Sequence, residues 1–187
     1  MTRPVFDVLK KMPSVLFVEE IPTVVAVVRT PAGGILLGLP QVVDEHDNAW
    51  MFPQGHIDRL ETPYAALLRV LYTKCGITEK DIDTKSVRAL TTSRANTREG
   101  AKCYYFIFVT LLPKVRPQLR ELQRQFTKQC FFASGPNCVW SKAGDVSVPK
   151  RFMIAQVLKL LILQKLLVGE RWRLERLEGF LSTATLK

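Results

Sequence analysis

Histidine and closely spaced cysteine are scarce in this chain. The 187 residues include two histidines, His46 and His56, and four cysteines. The cysteines stand at positions 75, 103, 130 and 138. They form no C-x-x-C pair and have no histidine partner at the spacing of a zinc site. We therefore expect neither a zinc site nor a disulfide framework, and we predict reduced, intracellular thiols.

Long apolar segments are also missing. The most apolar stretch, FMIAQVLKLLILQKLLVG, is too short to span a bilayer and is interrupted by glutamine and lysine. The N-terminal segment MTRPVFDVLKKMPSVLF has no long apolar core of the kind found in secretory signals, and it has only weak mitochondrial character. We expect no membrane partner and no secretion, and a mitochondrial or cytoplasmic location.

Acidic residues are in short supply relative to basic ones. The chain has 17 Asp and Glu against 27 Lys and Arg, which gives a formal net charge of +10. Such an excess predicts an anionic partner, most often nucleic acid, although a basic surface without a binding role is the alternative. The length and the 47% hydrophobic content fit one globular domain with an extension.

The most informative segment runs from Trp50 to Ile77, WMFPQGHIDRLETPYAALLRVLYTKCGI. Gly55 is followed after five residues by Glu61, after seven more by Arg69, and then by Gly76-Ile77. This spacing resembles the Nudix box, G-x5-E-x7-R-E-U-x-E-E-x-G-U, where U is apolar. WMFPQG resembles the W-x-F-P-Q-G segment of Nudix RNA 5′-pyrophosphohydrolases and dinucleoside polyphosphate hydrolases. The resemblance implies an α/β/α sandwich with a mixed sheet, here followed by a C-terminal helical extension.

The same segment lacks the acidic residues on which Nudix chemistry depends. Val70, Thr73 and Lys74 stand where the family has glutamates that bind Mg²⁺, and His56 and Leu60 replace usual glycines. Mg²⁺ is coordinated mainly by oxygen ligands, and an ammonium group would repel it. Positions 70, 73 and 74 share one face of the predicted helix. We therefore predict no metal site, no cofactor and no catalytic residue on this helix.

What remains of the box is predicted to be structural. A helix is expected from about Pro63 to Cys75, with Thr62 as its N-cap and a left-handed residue after its last turn. The motif positions expected to orient the loop and helix are Gly55, Glu61, Arg69 and Gly76. For Glu61, a merely solvated loop carboxylate is the alternative.

The organisation predicted around the box is a single domain with two extensions. It comprises an N-terminal extension (1–20), a Nudix-like domain (21–168) with the box at 55–77 and a basic helical insert at 114–129, and a C-terminal basic helix (169–187). Strands are predicted at Thr23–Arg29, Ile35–Leu39, Ala49–Phe52, Ser86–Thr92 and Ala101–Leu112.

Two basic segments are candidates for binding phosphate. The segment SRANTREGAK is predicted to be a short polar loop, and Arg116 to Lys128 is predicted to be an amphipathic helix with a cation every fourth residue. With the lysine of the box helix, the predicted phosphate-binding residues are Lys74, Arg94, Arg98, Lys102, Arg116, Arg120, Arg124 and Lys128. An ordinary solvated surface is the alternative for both segments.

These observations lead to one main hypothesis and two alternatives. The main hypothesis is a catalytically inactive, RNA-associated Nudix-like protein, acting as a subunit of a ribonucleoprotein or RNA-processing assembly. The first alternative is an active RNA 5′-pyrophosphohydrolase or nucleotide pyrophosphatase with relocated metal ligands such as Asp58, Glu61 or Glu99. The second is a structural adaptor that binds protein partners through its C-terminal helices. Whether two copies of the chain pair is left open.

Overall fold

The structure of the protein is a computed structural model, and it describes residues 20–40, 51–97, 100–115, 126–133 and 148–167. Its elements in chain order are β1 (Ile21–Arg29), β2 (Ile35–Pro40), β3 (Gln54–His56), α1 (Pro63–Cys75), a 3₁₀ turn (Glu79–Asp81), β4 (Ile82–Thr97), β5 (Gly100–Leu111), β6 (Phe126–Ala133) and α2 (Val148–Leu163). The chain divides into two compact units. Unit 1 comprises Met1–Pro31 and Pro53–Gln123, and unit 2 comprises Ala32–Phe52 and Arg124–Lys187.

Unit 1 is built on a mixed sheet. β1 runs parallel to β5, with Ile21 opposite Lys102 and Arg29 opposite Thr110. β4 pairs antiparallel with β5, and β3 pairs antiparallel with β1. The run TVVAVV of β1 is buried throughout, which is why its sequence is continuously apolar rather than alternating.

Helix α1 begins and ends at the residues that its sequence signals predict. The Thr62 side chain accepts a hydrogen bond from the Ala65 N–H at 3.1 Å, and Pro63 occupies the first turn. Gly76 closes the helix in the left-handed region with φ 66°. The buried residues of the helix are Pro63, Tyr64, Ala66, Leu67, Val70, Leu71 and Cys75. Apolar residues three and four positions apart therefore form its inner face.

Unit 2 contains β2, β6 and α2. β2 pairs antiparallel with β6, with Ile35 opposite Ala133 and Leu37 opposite Phe131. Helix α2 begins one residue before the predicted start at Pro149. Its buried residues include Ile154, Val157, Leu158 and Leu161. Neither described helix is long and apolar enough to cross a membrane.

Two sequence-based predictions of local structure are wrong. The segment SRANTREGAK is not a polar loop, because β4 extends to Thr97 and β5 begins at Gly100. The end of the predicted insert helix is also not helical, because Phe126–Lys128 lies in β6 and pairs with β2. In both places pairing with a neighbouring strand overrides the local pattern. Residues 116–125 of the predicted insert lie outside the described part of the chain, as do the extensions at 1–19 and 168–187.

Candidate functional site

The loop before α1 is held by an ion pair between Glu61 and Arg69. Arg69 Nε donates to Glu61 Oε1 at 2.8 Å, and its Nη2 donates to Glu61 Oε2 at 2.6 Å. The same Nη2 donates to the backbone oxygen of His56 at 2.7 Å. Glu61 Oε2 also accepts from the Asp58 N–H at 3.0 Å. The guanidinium therefore ties the helix to both ends of the loop that precedes it.

The ionisation of Glu61 reflects this environment. Burial by itself raises the pKa of its carboxyl, but hydrogen bonds from Arg69 and Asp58, together with the charge of Arg69, hold that pKa below its ordinary value. The Glu61 side chain is 15% exposed, so loss of Arg69 would leave a mostly buried carboxylate without its main partner.

Replacing Arg69 with leucine is expected to lower the free energy of unfolding by about 1.5 kcal/mol at neutral pH. Because the folded-state pKa of Glu61 is lowered, the stability from this pair is present above the unfolded value of about 4.3 and is lost as the pH falls through the folded value. Urea denaturation from pH 7 to pH 3 measures both effects. The difference between Arg69→Leu and the parent should shrink below about pH 4.

The matched control is Arg59→Leu, which removes an exposed arginine from the same loop and should change stability by less than about 0.5 kcal/mol. Equal losses in Arg59→Leu and Arg69→Leu would contradict a specific role for the ion pair. A loss in Arg69→Leu that stays constant down to pH 3 would contradict the link to ionisation of Glu61.

Position 70, where the sequence resemblance implies a glutamate, belongs to the core. Val70 is 1% exposed and lies over Gly55. A Cβ atom added at Gly55 would stand 2.7 Å from Val70 Cγ2, so the loop backbone and the valine are in close contact. A residue with a Cβ atom at position 55 would therefore displace Val70 or the loop backbone. An ionised carboxylate at position 70 would be buried in this apolar contact.

The two following positions present a hydroxyl and an ammonium group. The Thr73 hydroxyl donates to the backbone oxygen of Val70 at 3.4 Å. Lys74 is partly buried, and burial lowers the pKa of its ammonium group; the charge of Cys75 opposes this shift and that of Arg69 adds to it. The lowered pKa means that folding disfavours the charged form of Lys74.

These residues do not fit a divalent metal ion. A Mg²⁺ site in a protein usually takes one or two carboxylates together with waters and phosphate oxygens. On this face of α1 the side chains are an isopropyl group, a hydroxyl and an ammonium group. Within the described ranges, no group of three or more His, Cys, Asp or Glu side chains is placed to hold a metal.

The structure does not bring the predicted cations of the β4–β5 hairpin together. Arg94 is opposite Cys103, and Lys102 is opposite Ala95. Because opposite residues share a face and successive residues alternate, Arg94 and Lys102 point to opposite faces of the hairpin. Arg98, Arg116, Arg120 and Arg124 lie outside the described residues, and only the backbone of Lys128 is described, in β6. The binding role of these residues stays a prediction.

The hairpin does form a cavity that the sequence did not reveal. It has a volume of about 500 Å³ and is lined by Thr92, Ser93, Arg94, Cys103 and Tyr105. Glu20, just before β1, pairs with Arg94 through Nε and Oε1 at 3.1 Å. No local motif marks this group, because strand pairing and an ion pair across 74 positions assemble it.

Comparison with curated proteins finds short matches to one kind of enzyme. The chain is 49% identical over 47 residues to an RNA pyrophosphohydrolase of Photobacterium profundum and 45% identical over 47 residues to one of Vibrio cholerae. Each match covers 25% of this chain and 24% of the relative. The chain thus spans about a quarter of the length of these relatives. A scan against protein-family models finds no match.

Comparison with solved structures identifies the fold. A NUDIX hydrolase from Nitrosomonas europaea aligns with a TM-score of 0.57 and 13% identity, covering 84% of this chain and 95% of that one. A bifunctional NMN adenylyltransferase/ADP ribose pyrophosphatase from Francisella tularensis aligns with a TM-score of 0.61 and 16% identity, covering 78% of this chain and 42% of that one. The chain has the Nudix hydrolase fold, a mixed sheet with helices, and the predicted fold class is confirmed.

Proposed function

We propose that this chain, with its Nudix hydrolase fold, binds RNA through phosphate groups without hydrolysing them, as a subunit of a ribonucleoprotein or RNA-processing assembly in a mitochondrial or cytoplasmic compartment. The observation that carries the proposal is the α1 face at positions 70, 73 and 74. There the chain has a buried valine, a threonine and a partly buried lysine, where the sequence resemblance implies glutamates of the Nudix box.

A fixed ammonium group at this position can do part of what a metal ion does. Lys74 carries its charge in a partly buried place, where an anion would be attracted more strongly than at the open surface. An ammonium group binds phosphate oxygens by charge-assisted hydrogen bonds. It does not activate a water molecule as a metal-bound site would. Binding without cleavage is the chemistry that this replacement favours.

RNA is the proposed anion for two reasons. The net charge of +10 favours a polyanionic partner, and the curated relatives that match part of the chain are RNA pyrophosphohydrolases. The exposed side chain of Arg94 and the basic segment at 116–128 would extend the contact to further phosphates.

The contacts of the loop carboxylates weigh against the enzymatic alternative. Glu61 is engaged by Arg69 at 2.6 Å, and Asp58 lies 3.6 Å from the same guanidinium. A metal ion bound by these carboxylates would have to displace the Arg69 guanidinium or lie close to its positive charge. Glu99 lies outside the described residues, as does the C-terminal segment on which the adaptor alternative depends.

The test is a titration with 5′-triphosphorylated and 5′-hydroxyl forms of one short RNA, with Mg²⁺ and with EDTA, following both binding and phosphate release. We expect binding without release that is unaffected by EDTA. Affinity should fall with salt by a log–log slope of roughly −0.7 for each phosphate neutralised. Phosphate release that depends on Mg²⁺ would contradict the proposal and favour the enzyme. Absence of salt-sensitive RNA binding would favour the adaptor.

Replacing Lys74 with methionine should separate binding from stability. We expect RNA affinity to fall about tenfold, because a charge-assisted hydrogen bond contributes roughly 1.5 kcal/mol or more. Since folding disfavours the ammonium group of Lys74, we expect Tm not to fall at neutral pH. Fluorescence anisotropy and thermal denaturation measure the two effects. Lys80→Met removes an exposed lysine from the 3₁₀ turn and serves as the control. A fall in Tm for Lys74→Met together with unchanged RNA affinity would assign Lys74 a structural role.

A further inference from the structure

Strand β4 forms one edge of the sheet among the strands that the structure describes. Their order is β4–β5–β1–β2–β6, and of these strands only β5 pairs with β4. On an edge strand every second residue directs its N–H and C=O groups away from the sheet. The side chains of Thr92–Asn96 are all exposed, so this part of β4 is open on both faces as well as along its edge.

The segment Thr91–Thr97 lacks the features that usually prevent an edge strand from pairing with another chain. Such features are proline, several charged side chains, or a bulge within the strand. This segment has no proline and one charged side chain, that of Arg94, and the register shift of β4 lies before it, between Ala89 and Thr91. Its seven residues extend about 23 Å, which is enough to pair with a strand of ordinary length.

An apolar cavity lies beside this edge, at the register shift. It has a volume of about 400 Å³ and is lined mainly by apolar residues, among them Pro63 at the start of α1, Ala89, Leu90, Phe106 and Ile107. A cavity of this volume can hold an apolar side chain. Because Ala89 and Leu90 belong to the edge strand, a side chain of a strand added beside β4 can reach the cavity.

A polar cavity of about 500 Å³ follows on the same face of the hairpin. Arg94 lines it, and Thr92 and Tyr105 line both cavities. Thr92 is opposite Tyr105 and Arg94 is opposite Cys103, so Thr92 and Arg94 lie on one face, two positions apart. The Arg94 side chain is 73% exposed, and its Nε donates to Glu20 Oε1 at 3.1 Å. A guanidinium has five N–H donors, so this bond leaves further donors for a second carboxylate.

We propose that an extended segment of a partner protein adds to β4 as a further strand along Thr91–Thr97, with an apolar side chain in the apolar cavity and a carboxylate two positions away at Arg94. In strand addition the main-chain hydrogen bonds give affinity, and pockets for alternate side chains give specificity. Residues two positions apart share a face, which matches the two successive cavities. The inference goes beyond the proposed function, because it concerns a protein partner and requires no RNA.

Charge favours an acidic partner strand over a second copy of this chain. β4 carries Lys85, Arg88 and Arg94 against a single acid, Asp83. Pairing two copies of this edge would bring these cations together, and the net charge of +10 on each chain would oppose their association. Aspartate or glutamate on the added strand would instead be attracted to the edge.

The test uses the full chain and a heptapeptide of threonine and serine that carries leucine and glutamate two positions apart. A control peptide of the same composition has leucine and glutamate adjacent, so that their side chains point to opposite faces. At about ten times its Kd, the first peptide should slow hydrogen exchange about tenfold at alternate amides from Thr91 to Thr97. The control peptide should bind about tenfold more weakly, because its leucine misses the apolar cavity.

Methylation of the peptide backbone distinguishes strand addition from other modes of binding. Two further heptapeptides carry N-methyl groups on alternate residues, one at the odd positions and one at the even positions. An added strand uses only one of these two sets of N–H groups to pair with β4. We therefore expect one methylated peptide to lose binding and the other to keep it. Equal loss in both, or loss in neither, would contradict strand addition.

Variants of the chain assign the two side-chain contacts. Ala89→Phe fills the apolar cavity from an exposed position and should weaken binding of the leucine–glutamate peptide about tenfold. Ala95→Phe is the matched control, because Ala95 is exposed on the same strand, opposite Lys102, and faces the other side of the sheet from Arg94. Arg94→Gln should weaken the same peptide about threefold and leave unchanged a peptide with glutamine in place of glutamate.

Three outcomes would overturn the proposal. The leucine–glutamate peptide could leave the exchange of Thr91–Thr97 unchanged at about 1 mM. Protection that rises with protein concentration in the absence of peptide would assign the edge to a second copy of the chain. Protection by a short RNA and not by the peptide would assign it to RNA. The peptide assays contain no RNA, so their failure leaves phosphate binding at Lys74 standing, and peptide binding by a chain that binds no RNA would refute the proposed function alone.

Discussion

Replacing Gly55 with alanine is expected to lower the free energy of unfolding by about 2 kcal/mol. The added Cβ would stand 2.7 Å from Val70 Cγ2, far inside normal contact distance. Val70 is 1% exposed on the inner face of α1, so it cannot turn into solvent to make room. The substitution therefore has to shift the loop or the helix. Chemical denaturation of parent and variant measures the loss, which should appear in the midpoint with an unchanged m-value.

A double-mutant cycle tests whether Val70 is the cause. Val70→Ala alone should cost about 2 kcal/mol, because it removes two buried methyl groups. In the double variant the small residue at position 70 should accommodate the new Cβ, so the combined loss should be about 1–2 kcal/mol less than the sum. Gly33→Ala is the control. Gly33 has φ 84° with open space around the position of an added Cβ, so the stability lost in Gly33→Ala should add to the stability lost in Val70→Ala. Additivity between positions 55 and 70 would contradict the contact.

The parts of this fold that the sequence predicts are those encoded by local signals. Thr62 followed by Pro63 starts α1, and Gly76 ends it, because capping and left-handed conformations are properties of single residues in their immediate surroundings. The Nudix-like spacing of the box is likewise visible in one short segment. Comparison with solved structures confirms the fold that this spacing predicted.

Long-range pairing accounts for what the sequence did not reveal. The polar segment around Arg94 has the composition of a loop, yet it continues the strands of a hairpin whose partners are set by β5. The Glu20–Arg94 pair depends on a carboxylate 74 positions earlier in the chain. Phe126–Lys128 has a helical pattern of cations and apolar residues, but the strand partner at β2 decides its conformation. Such contacts have no signature in a single sequence.

The Thr73→Glu/Lys74→Glu double substitution is expected to reduce RNA affinity about a hundredfold at low salt. The substitution removes the attraction of the Lys74 ammonium group for phosphate. The two new carboxylates also repel RNA phosphates at the same helix face, where like-charge contacts cost several kcal/mol. Neither residue is in the buried set that includes Val70, so the fold should tolerate the change better than a glutamate at position 70. Fluorescence anisotropy in EDTA measures the affinity, and thermal denaturation checks the fold.

The neutral variant Thr73→Gln/Lys74→Gln separates lost attraction from added repulsion, since glutamine matches glutamate in size. Its RNA affinity should fall only about tenfold. Its log–log salt slope should be less steep than that of the parent by roughly 0.7, because one phosphate contact is gone. The two double variants should converge at high salt, where repulsion is screened. If both instead bind RNA as the parent does, RNA phosphates do not lie at Lys74. Convergence with a tenfold residual loss would place one phosphate at the ammonium group of Lys74.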